Sequence, residues 1–341
     1  MRRPLLLVCL ALLVGGTVGC SGDGGDDGDG TAAGGSESER VTTSTVPGPS
    51  GELLLLSYNV AGLPEPLSGS EPSTNMELIG PKLNGYDLVL LQETWKTPDP
   101  NPMAPLRVYH EVLEAAVDFP HRSTPAPQPL GSDPDRPEAL LADGLNRFSR
   151  SPFGEVTRVA WAGCFGGMDQ SDGGAGDCLA TKGFSVATTQ LADGVEVDVY
   201  NLHGEAGSSP RDQELQAADY DQLAAFIEEH SAGKAILLAG DTNLHTDTTV
   251  DPEHPEGEGD LAVWDRFLEA TGLVDVCGPL DCDDADRIDK AAFRDGDGVT
   301  LEPISRTWET ETFKRSDGQP LSDHDPLAVR FRWSASDTSS N

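Results

Sequence analysis

The chain has 341 residues, and 58 acidic against 23 basic side chains give it a formal charge of −35. Such a charge favours solubility, opposes adhesion to polyanions and suits a protein that gathers divalent cations. It carries no information about fold, but the length allows one large two-sheet domain.

The first twenty residues, MRRPLLLVCLALLVGGTVGC, hold two arginines, an apolar run from Leu5 to Val14, small residues and a cysteine. The run is too short to span a bilayer and reads as a secretion signal over residues 1–19. Its end, TVGC, resembles a bacterial lipobox, with Thr17 where Leu or Val is usual. That resemblance implies lipidation of Cys20 and attachment to the cell-surface membrane; plain secretion is the alternative. Loss of Arg2 and Arg3 with the signal takes the charge from −35 to −37. Residues 20–51 are rich in Gly, Asp and Ser and cannot bury enough apolar surface to offset chain entropy, so they read as a flexible linker. The folded part is expected over 52–333, with a polar tail at 334–341.

Within it, LLLLSYNV (53–60) and DLVLLQE (87–93) read as buried strands, separated by a short helix at 76–84. Helical spacing covers 105–119. Alternation predicts strands at 144–153, 182–191 and 195–203. Residues 210–230 form the best helix, with Pro210 at its start and Ser208 or Ser209 as cap. A buried strand follows at 234–243, an acidic and solvated loop at 245–260, and a helix at 261–272 ended by Gly272. Strands at 286–293, 299–308 and 325–333 close the domain. Strands interleaved with helices predict an α/β or α+β sandwich.

Four cysteines remain after the signal and Cys20: Cys164, Cys178, Cys277 and Cys282. In an exported protein they suggest two disulfides with three possible connectivities, and proximity favours Cys164–Cys178 and Cys277–Cys282. A zinc site is the rival reading, without paired CxxC spacing to support it.

Polar residues interrupt the apolar strands at their ends: Asn59, Glu93, Asn201, His203, Asp241, Asn243, Asp289, Asp323 and His324. One such residue is ordinarily a turn or cap. Nine from six strands predict a shared acidic cleft whose oxygen donors suit Mg²⁺, Mn²⁺ or Ca²⁺ better than zinc.

In order, SYNVAGLPE, LVLLQETW, VYNLHGEA, LLAGDTNLH, RID and LSDHDP resemble the motifs of the endonuclease/exonuclease/phosphatase superfamily, the DNase I-like fold, across nearly the whole folded part. The resemblance implies an α/β four-layer sandwich, two packed mixed β-sheets flanked by helices, that hydrolyses phosphate esters with a divalent metal. It makes Glu93 the main metal carboxylate, with Asn59 and Asp323 in the metal shell. Asp241 becomes the residue that orients or deprotonates the attacking water, and Asn243 holds that water or the phosphate. His324 becomes the essential histidine, Asp289 the aspartate that orients it, and His203 a second histidine on a phosphate oxygen. Asp325 is expected only to turn the chain into the last strand.

Two segments bear on the substrate. GDCLATKGFSV (176–186) resembles the Asp-x-x-x-x-Lys-Gly segment of neutral sphingomyelinases, which makes Lys182 a contact to substrate phosphate, and the tryptophan of LQETW leans the same way. The expected function is therefore a sphingomyelinase-like phospholipid hydrolase acting outside the cell, with no protein partner implied. Bacterial enzymes of that branch often carry an exposed aromatic hairpin before the last histidine motif; here that stretch offers only Trp308 and Phe313, amid charges. A secreted nuclease is the alternative, with Arg147, Arg150, Arg287, Arg294, Lys314 and Arg315 as candidates for a basic path. A catalytically inactive surface-binding module is a further one.

Overall fold

A computed structural model describes residues 48–65, 67–68, 70–96, 108–168, 173–246, 256–282 and 286–336. The expected signal, Cys20, most of the linker, most of the polar tail and residues 247–255 of the acidic loop lie outside the described residues. The elements run β1 (Ser50–Asn59), α1 (Pro72–Leu83), β2 (Leu88–Gln92), α2 (Tyr109–Glu114), β3 (His121–Arg122), β4 (Asn146–Ser149), β5 (Thr157–Ala160), β6 (Gly183–Ala192) and β7 (Val195–His203). They continue with α3 (Pro210–His230), β8 (Ile236–Asp241), α4 (Gly257–Thr271), β9 (Val274–Asp275), α5 (Cys277–Leu280), β10 (Asp289–Arg294), β11 (Val299–Trp308) and β12 (Leu327–Ala335).

Two six-stranded sheets result, in the orders β11-β12-β1-β2-β4-β3 and β5-β6-β7-β8-β10-β9. One neighbouring pair in each runs parallel, β1 with β2 and β7 with β8, so both sheets are mixed. The central strands read as continuous apolar runs because both of their faces are buried. Alternate side chains separate the two faces. Leu53, Leu55, Leu88 and Leu90 meet Val197, Val199, Leu237 and Ala239 between the sheets. On the outer face of the first sheet, Leu56, Val89 and Leu91 pack with Ile79 and Leu83 of α1 and Leu113 of α2. On that of the second, Tyr200, Leu202 and Leu238 pack with Tyr220 and Leu223 of α3 and Phe267 of α4. Each such buried leucine contributes about 1.5–3 kcal/mol. The four expected layers are all present.

Polar groups fix the register of one sheet against the other. Gln92 Nε2 donates to Asn201 Oδ1 at 2.7 Å, and Asn201 Nδ2 to the Leu91 carbonyl at 3.0 Å. Arg147 is buried between the sheets and donates to the carbonyls of Val199 and Ser185 at 3.1 and 3.2 Å. Burial pushes its guanidinium down to about 9. Asn201 and Arg147 are thus structural residues.

Several boundaries differ from the sequence reading. β1 and β12 pair from Ser50 opposite Ser334, beyond both expected domain limits, because ladder bonds use main chain and need no apolar side chain. α1 begins at Pro72, whose ring suits the first turn, and runs through Pro81 near its end. α2 is only six residues long. The short strands β3, β5 and β9 had no legible alternation. α3 spans its predicted residues, with Ser209 and Asp212 capping each other's backbone N–H groups. Both proximity pairings of cysteine form disulfides, Cys164–Cys178 and Cys277–Cys282, which removes the zinc reading.

Candidate active site

Topology explains why the polar strand ends meet. Parallel neighbours finish at the same edge of a sheet: Asn59 lies opposite Gln92, and His203 opposite Asp241. Antiparallel neighbours start at that edge. Asp289 opens β10 opposite Asp241, and His324 stands three residues before β12, which pairs with β1 up to Ser57. Six central strands, three from each sheet, therefore deliver side chains to one place.

Asn59 is the hub. Its Nδ2 donates to Glu93 Oε1 at 3.1 Å and Asp241 Oδ2 at 3.0 Å, and lies 3.4 Å from His324 Nε2. Its Oδ1 accepts the Ala61 N–H at 3.0 Å, so the oxygen a metal would use is turned to the backbone. His324 Nδ1 is 2.8 Å from Asp289 Oδ2, and its Nε2 is 3.6 Å from Asp241 Oδ2. His203 Nε2 lies 3.4 Å from Asp241 Oδ2 and 3.9 Å from Glu93 Oε1. Asn243 donates its backbone N–H to Asp241 Oδ1 at 3.1 Å and its amide to the Gly204 carbonyl at 3.1 Å. The approach of Gly204 to the Thr242 carbonyl leaves no space for a Cβ.

Glu93 and Asn243 have φ of +56° and +51°, left-handed backbone at the ends of their strands. Asn tolerates that region; Glu does so at a cost. From this backbone the Glu93 carboxylate reaches the Asn59 amide in the cleft.

Burial sets the charges. It raises the Glu93 carboxyl above its ordinary value and takes Asp289 up to about 6. It would raise Asp241 too, but the charges of His324 and Lys182 and the Asn59 amide outweigh it and hold that carboxyl below the usual range. Burial would lower His324, but Asp241 and Asp289 carry it up to about 10. His203, with burial and Lys182 against its charged form, falls to about 3 and is neutral. At pH 7 the free site therefore holds an ionised Asp241 beside a protonated His324.

Lys182 reaches this cluster from the start of β6. Its Nζ is 2.5 Å from Asp177 Oδ1 and 3.4 Å from the Gly204 carbonyl. Burial opposes its charge, but Asp177 prevails and raises the ammonium above its usual value. Behind it lie two buried acids that sequence reasoning missed. Glu205 accepts the Phe165 N–H at 2.6 Å. Burial first, then Asp177, takes Glu205 up to about 9, and burial takes Asp219 up to about 8. The signal for Glu205 was its place two residues after His203; Asp219 looked like an ordinary polar residue of α3.

Asn59, Glu93, Lys182, His203, Asp241, Asn243, Asp289 and His324 are thus brought together, while Asp323 acts on His324 through its charge, without a hydrogen bond into the cluster among the described residues. Asp323 is exposed and accepts from the Ser322 hydroxyl at 3.2 Å. Among the described residues the group able to hold a metal ion is Asp241, Asp289 and His324, with ligand atoms within 4.8 Å of one another. Asp325 does more than turn the chain: it pairs with Arg287 at 2.5 Å, and Arg287 and Arg306 lie over the Trp308 ring at 5.1 and 5.2 Å. Trp308 is half-buried, and Phe313 is buried against Tyr58, so neither forms an exposed aromatic hairpin.

The endonuclease/exonuclease/phosphatase family matches residues 56–324. A sphingomyelinase from Mycobacterium bovis is 31% identical over 306 residues, covering 84% of this chain and 54% of the relative, and one from Mycobacterium tuberculosis matches equally. The chain thus spans about half the length of the curated relatives it matches. Among solved structures, sphingomyelinase C from Streptomyces griseocarneus aligns with a TM-score of 0.53 at 18% identity, over 83% of this chain and 99% of that one. A beta toxin mutant from Staphylococcus aureus with bound magnesium ions gives 0.53 at 15%, over 82% and 99%. The D. rerio TDP2 complex with a single-strand DNA product gives 0.53 at 16%, over 82% and 98%. At these identities the structures establish the fold.

Proposed function

This chain belongs to the endonuclease/exonuclease/phosphatase family, and from that premise we propose that it is a divalent-metal-dependent phosphodiesterase whose substrate is a phospholipid of the sphingomyelin type, met outside the cell. The observation that carries the reading is the donor set at the strand ends. Glu93, Asp241 and Asp289 crowd around one amide and one imidazole, and Asp289 Oδ1 has no hydrogen-bond partner among the described residues. Carboxylate oxygens in that excess fit a hard cation, Mg²⁺ first, with Mn²⁺ or Ca²⁺ as alternatives. The likeness to a magnesium-bound neighbour supports the same choice. Glu93 would hold the ion, and the ion when bound would supply neutralisation of the anionic diester.

The chain's own residues do the rest. Asp241, ionised at neutral pH, takes a proton from the attacking water, which Asn243 holds in place. His324, protonated and fixed by Asp289, donates to the leaving or a non-bridging oxygen. Neutral His203, its Nε2 3.4 Å from Asp241 Oδ2, stands beside that carboxylate at the cleft. Lys182 faces the phosphate. Two disulfides fit an oxidising compartment and so an exported protein.

The nuclease alternative needs a basic path, and its six candidate residues are engaged within the fold. Arg147 is buried, Arg150 and Arg294 bind backbone carbonyls, and Arg315 binds Asn75 and Glu71. Lys314 pairs with Glu311, and Arg287 with Asp325. The test offers sphingomyelin, phosphatidylcholine and supercoiled plasmid in parallel to the purified protein with Mg²⁺. Phosphocholine release with intact plasmid is expected; nicked plasmid without phosphocholine would reverse the assignment.

A further inference from the structure

The three most exposed large apolar residues among those described are Met168 at 75%, Leu67 at 74% and Leu130 at 73%. They stand on three different loops, with Leu140 exposed nearby on the loop of Leu130. Packing, hydrogen bonds and a disulfide tie these loops to one another and to the segments that carry Glu93 and Lys182. Leu63, Trp95, Ala126, Leu141, Ala142 and Ala180 pack together beneath them, and Trp95 follows Glu93 by two residues. The backbone N–H groups of Leu140 and Leu141 both donate to the Leu179 carbonyl, at 2.9 and 3.0 Å, three residues before Lys182. Gly167 lies against the Glu138 carboxylate, and the Cys164–Cys178 disulfide pins the loop of Met168.

Leu130 is the residue that neither stability nor solubility explains. It forms the tip of a turn from Pro129 to Ser132, closed by a Ser132 N–H bond to the Pro129 carbonyl at 2.9 Å. Leu130 and Gly131 have φ of +50° and +77°. Two successive left-handed residues make a type I′ turn, where Asn-Gly is the preferred pair and a branched apolar side chain is strained. An exposed leucine in that position costs stability and solubility together, which is the pattern of a site kept for contact. Pro125, Pro127, Pro129, Pro134 and Pro137 stiffen the loop, so little entropy is lost when it docks.

Charge selects the partner. Within residues 61–70, 123–143 and 161–181 the one basic residue is Arg136, which is buried and donates to the Trp161 and Gly163 carbonyls; on adjoining segments Arg158 pairs with Asp143, Arg315 pairs with Glu71, and Lys96 is exposed. Asp135 and Glu138 are exposed beside Leu130 and Leu140. An apolar tip ringed by acids, on a chain of −35, is repelled by anionic lipid and compatible with a surface of zwitterionic headgroups. Resting on the phospholipase reading above, we propose that Leu67, Leu130, Leu140 and Met168 form an interfacial docking rim that inserts into zwitterionic bilayers and presents the cleft to lipid. The rim lies on the loops before Lys182 and after Asn59, and the stretch that holds Phe313 borders its Leu67 side, where Arg315 binds Glu71 at 2.8 Å and Asn75 at 2.9 Å.

The test uses the full mature chain with Cys20→Ser, so that no acyl group masks the rim, and compares it with Leu130→Asn and Leu130→Asn/Met168→Asn. Each protein is sedimented with phosphatidylcholine–sphingomyelin vesicles, with and without phosphatidylserine. Turnover is followed on those vesicles and on water-soluble bis(p-nitrophenyl) phosphate. Leu130→Asn is expected to keep or raise the melting temperature while vesicle binding and vesicle turnover fall about tenfold, and further in the double variant. Soluble-diester turnover stays unchanged, and phosphatidylserine weakens binding of the parent. Vesicle binding by the double variant equal to the parent's would overturn the proposal. So would a parent dimer in light scattering that the double variant abolishes while vesicle binding persists, since the rim would then join two copies. A parent that binds vesicles but hydrolyses neither substrate would sink the enzymatic reading and leave the rim standing.

Discussion

Replacing Asp289 by Asn removes one charge beside His324 and keeps the shape of the side chain. Asp289 Oδ2 lies 2.8 Å from His324 Nδ1, and the pair of Asp241 and Asp289 lifts the histidine to about 10. Two unit charges about 4 Å apart at an effective dielectric of about 20 interact by about 4 kcal/mol, which is about three pK units. His324 should therefore fall to about 7 in the variant. A raised histidine pKa means that the protonated form persists until the pH passes that value, so the parent stays protonated through pH 8.5 while the variant does not. At pH 6 the loss in kcat reflects poorer orientation alone, about 10²-fold; at pH 8.5 deprotonation adds about 30-fold more. Stability should change little, because the buried carboxyl of Asp289 is itself pushed up to about 6 and an amide avoids that cost. The assay is kcat against pH from 5.5 to 9 on a soluble diester, with thermal melts as the control for folding. A loss below threefold, or one of equal size at pH 6 and pH 8.5 with an intact melt, would refute this role for the pair.

Glu93→Gln should abolish the rise in melting temperature that Mg²⁺ gives the parent, since an ion bound only by the folded state stabilises it by mass action; calorimetry with and without chelator reads this directly. Glu205→Gln should flatten the pH dependence of stability. The Glu205 pKa is raised from 4.5 to about 9, so its relative stabilisation is complete below about pH 4.5 and disappears as the pH climbs to about 9. Melts should then match near pH 4 and favour the variant at pH 8. Cys164→Ser with Cys178→Ser opens a loop of 14-residue separation, worth about 3 kcal/mol in urea titration, and should loosen the Lys182 loop.

The sheet edges were legible because apolar runs that stop at polar residues report both strand direction and strand end. Asn59, Glu93, His203, Asp241 and Asp289 all follow from that pattern together with parallel pairing in each sheet. What the sequence hid was direction and burial. Asp323 and Asp325 flank His324 alike on paper, yet one is exposed and the other pairs with Arg287, because adjacent side chains leave a loop in different directions. Arg147 read as a surface cation and is buried between the sheets, where carbonyls of two strands accept its protons. Glu205 and Asp219 gave no periodic signal at all; their raised pKa values come first from burial, to which the charge of Asp177 adds. Leu130 is invisible as a rim residue until its backbone is known, since its meaning lies in a positive φ.

In the proposed reaction water, activated at Asp241, attacks phosphorus in a cation-loaded cleft. That step is tested most directly by hydrolysing sphingomyelin in ¹⁸O-water with Mg²⁺ and weighing the products. One ¹⁸O in the phosphocholine and none in the ceramide, with no product from Asp241→Asn or in chelator, is the predicted result. Label in the ceramide, or undiminished phosphocholine release by Asp241→Asn, would contradict it.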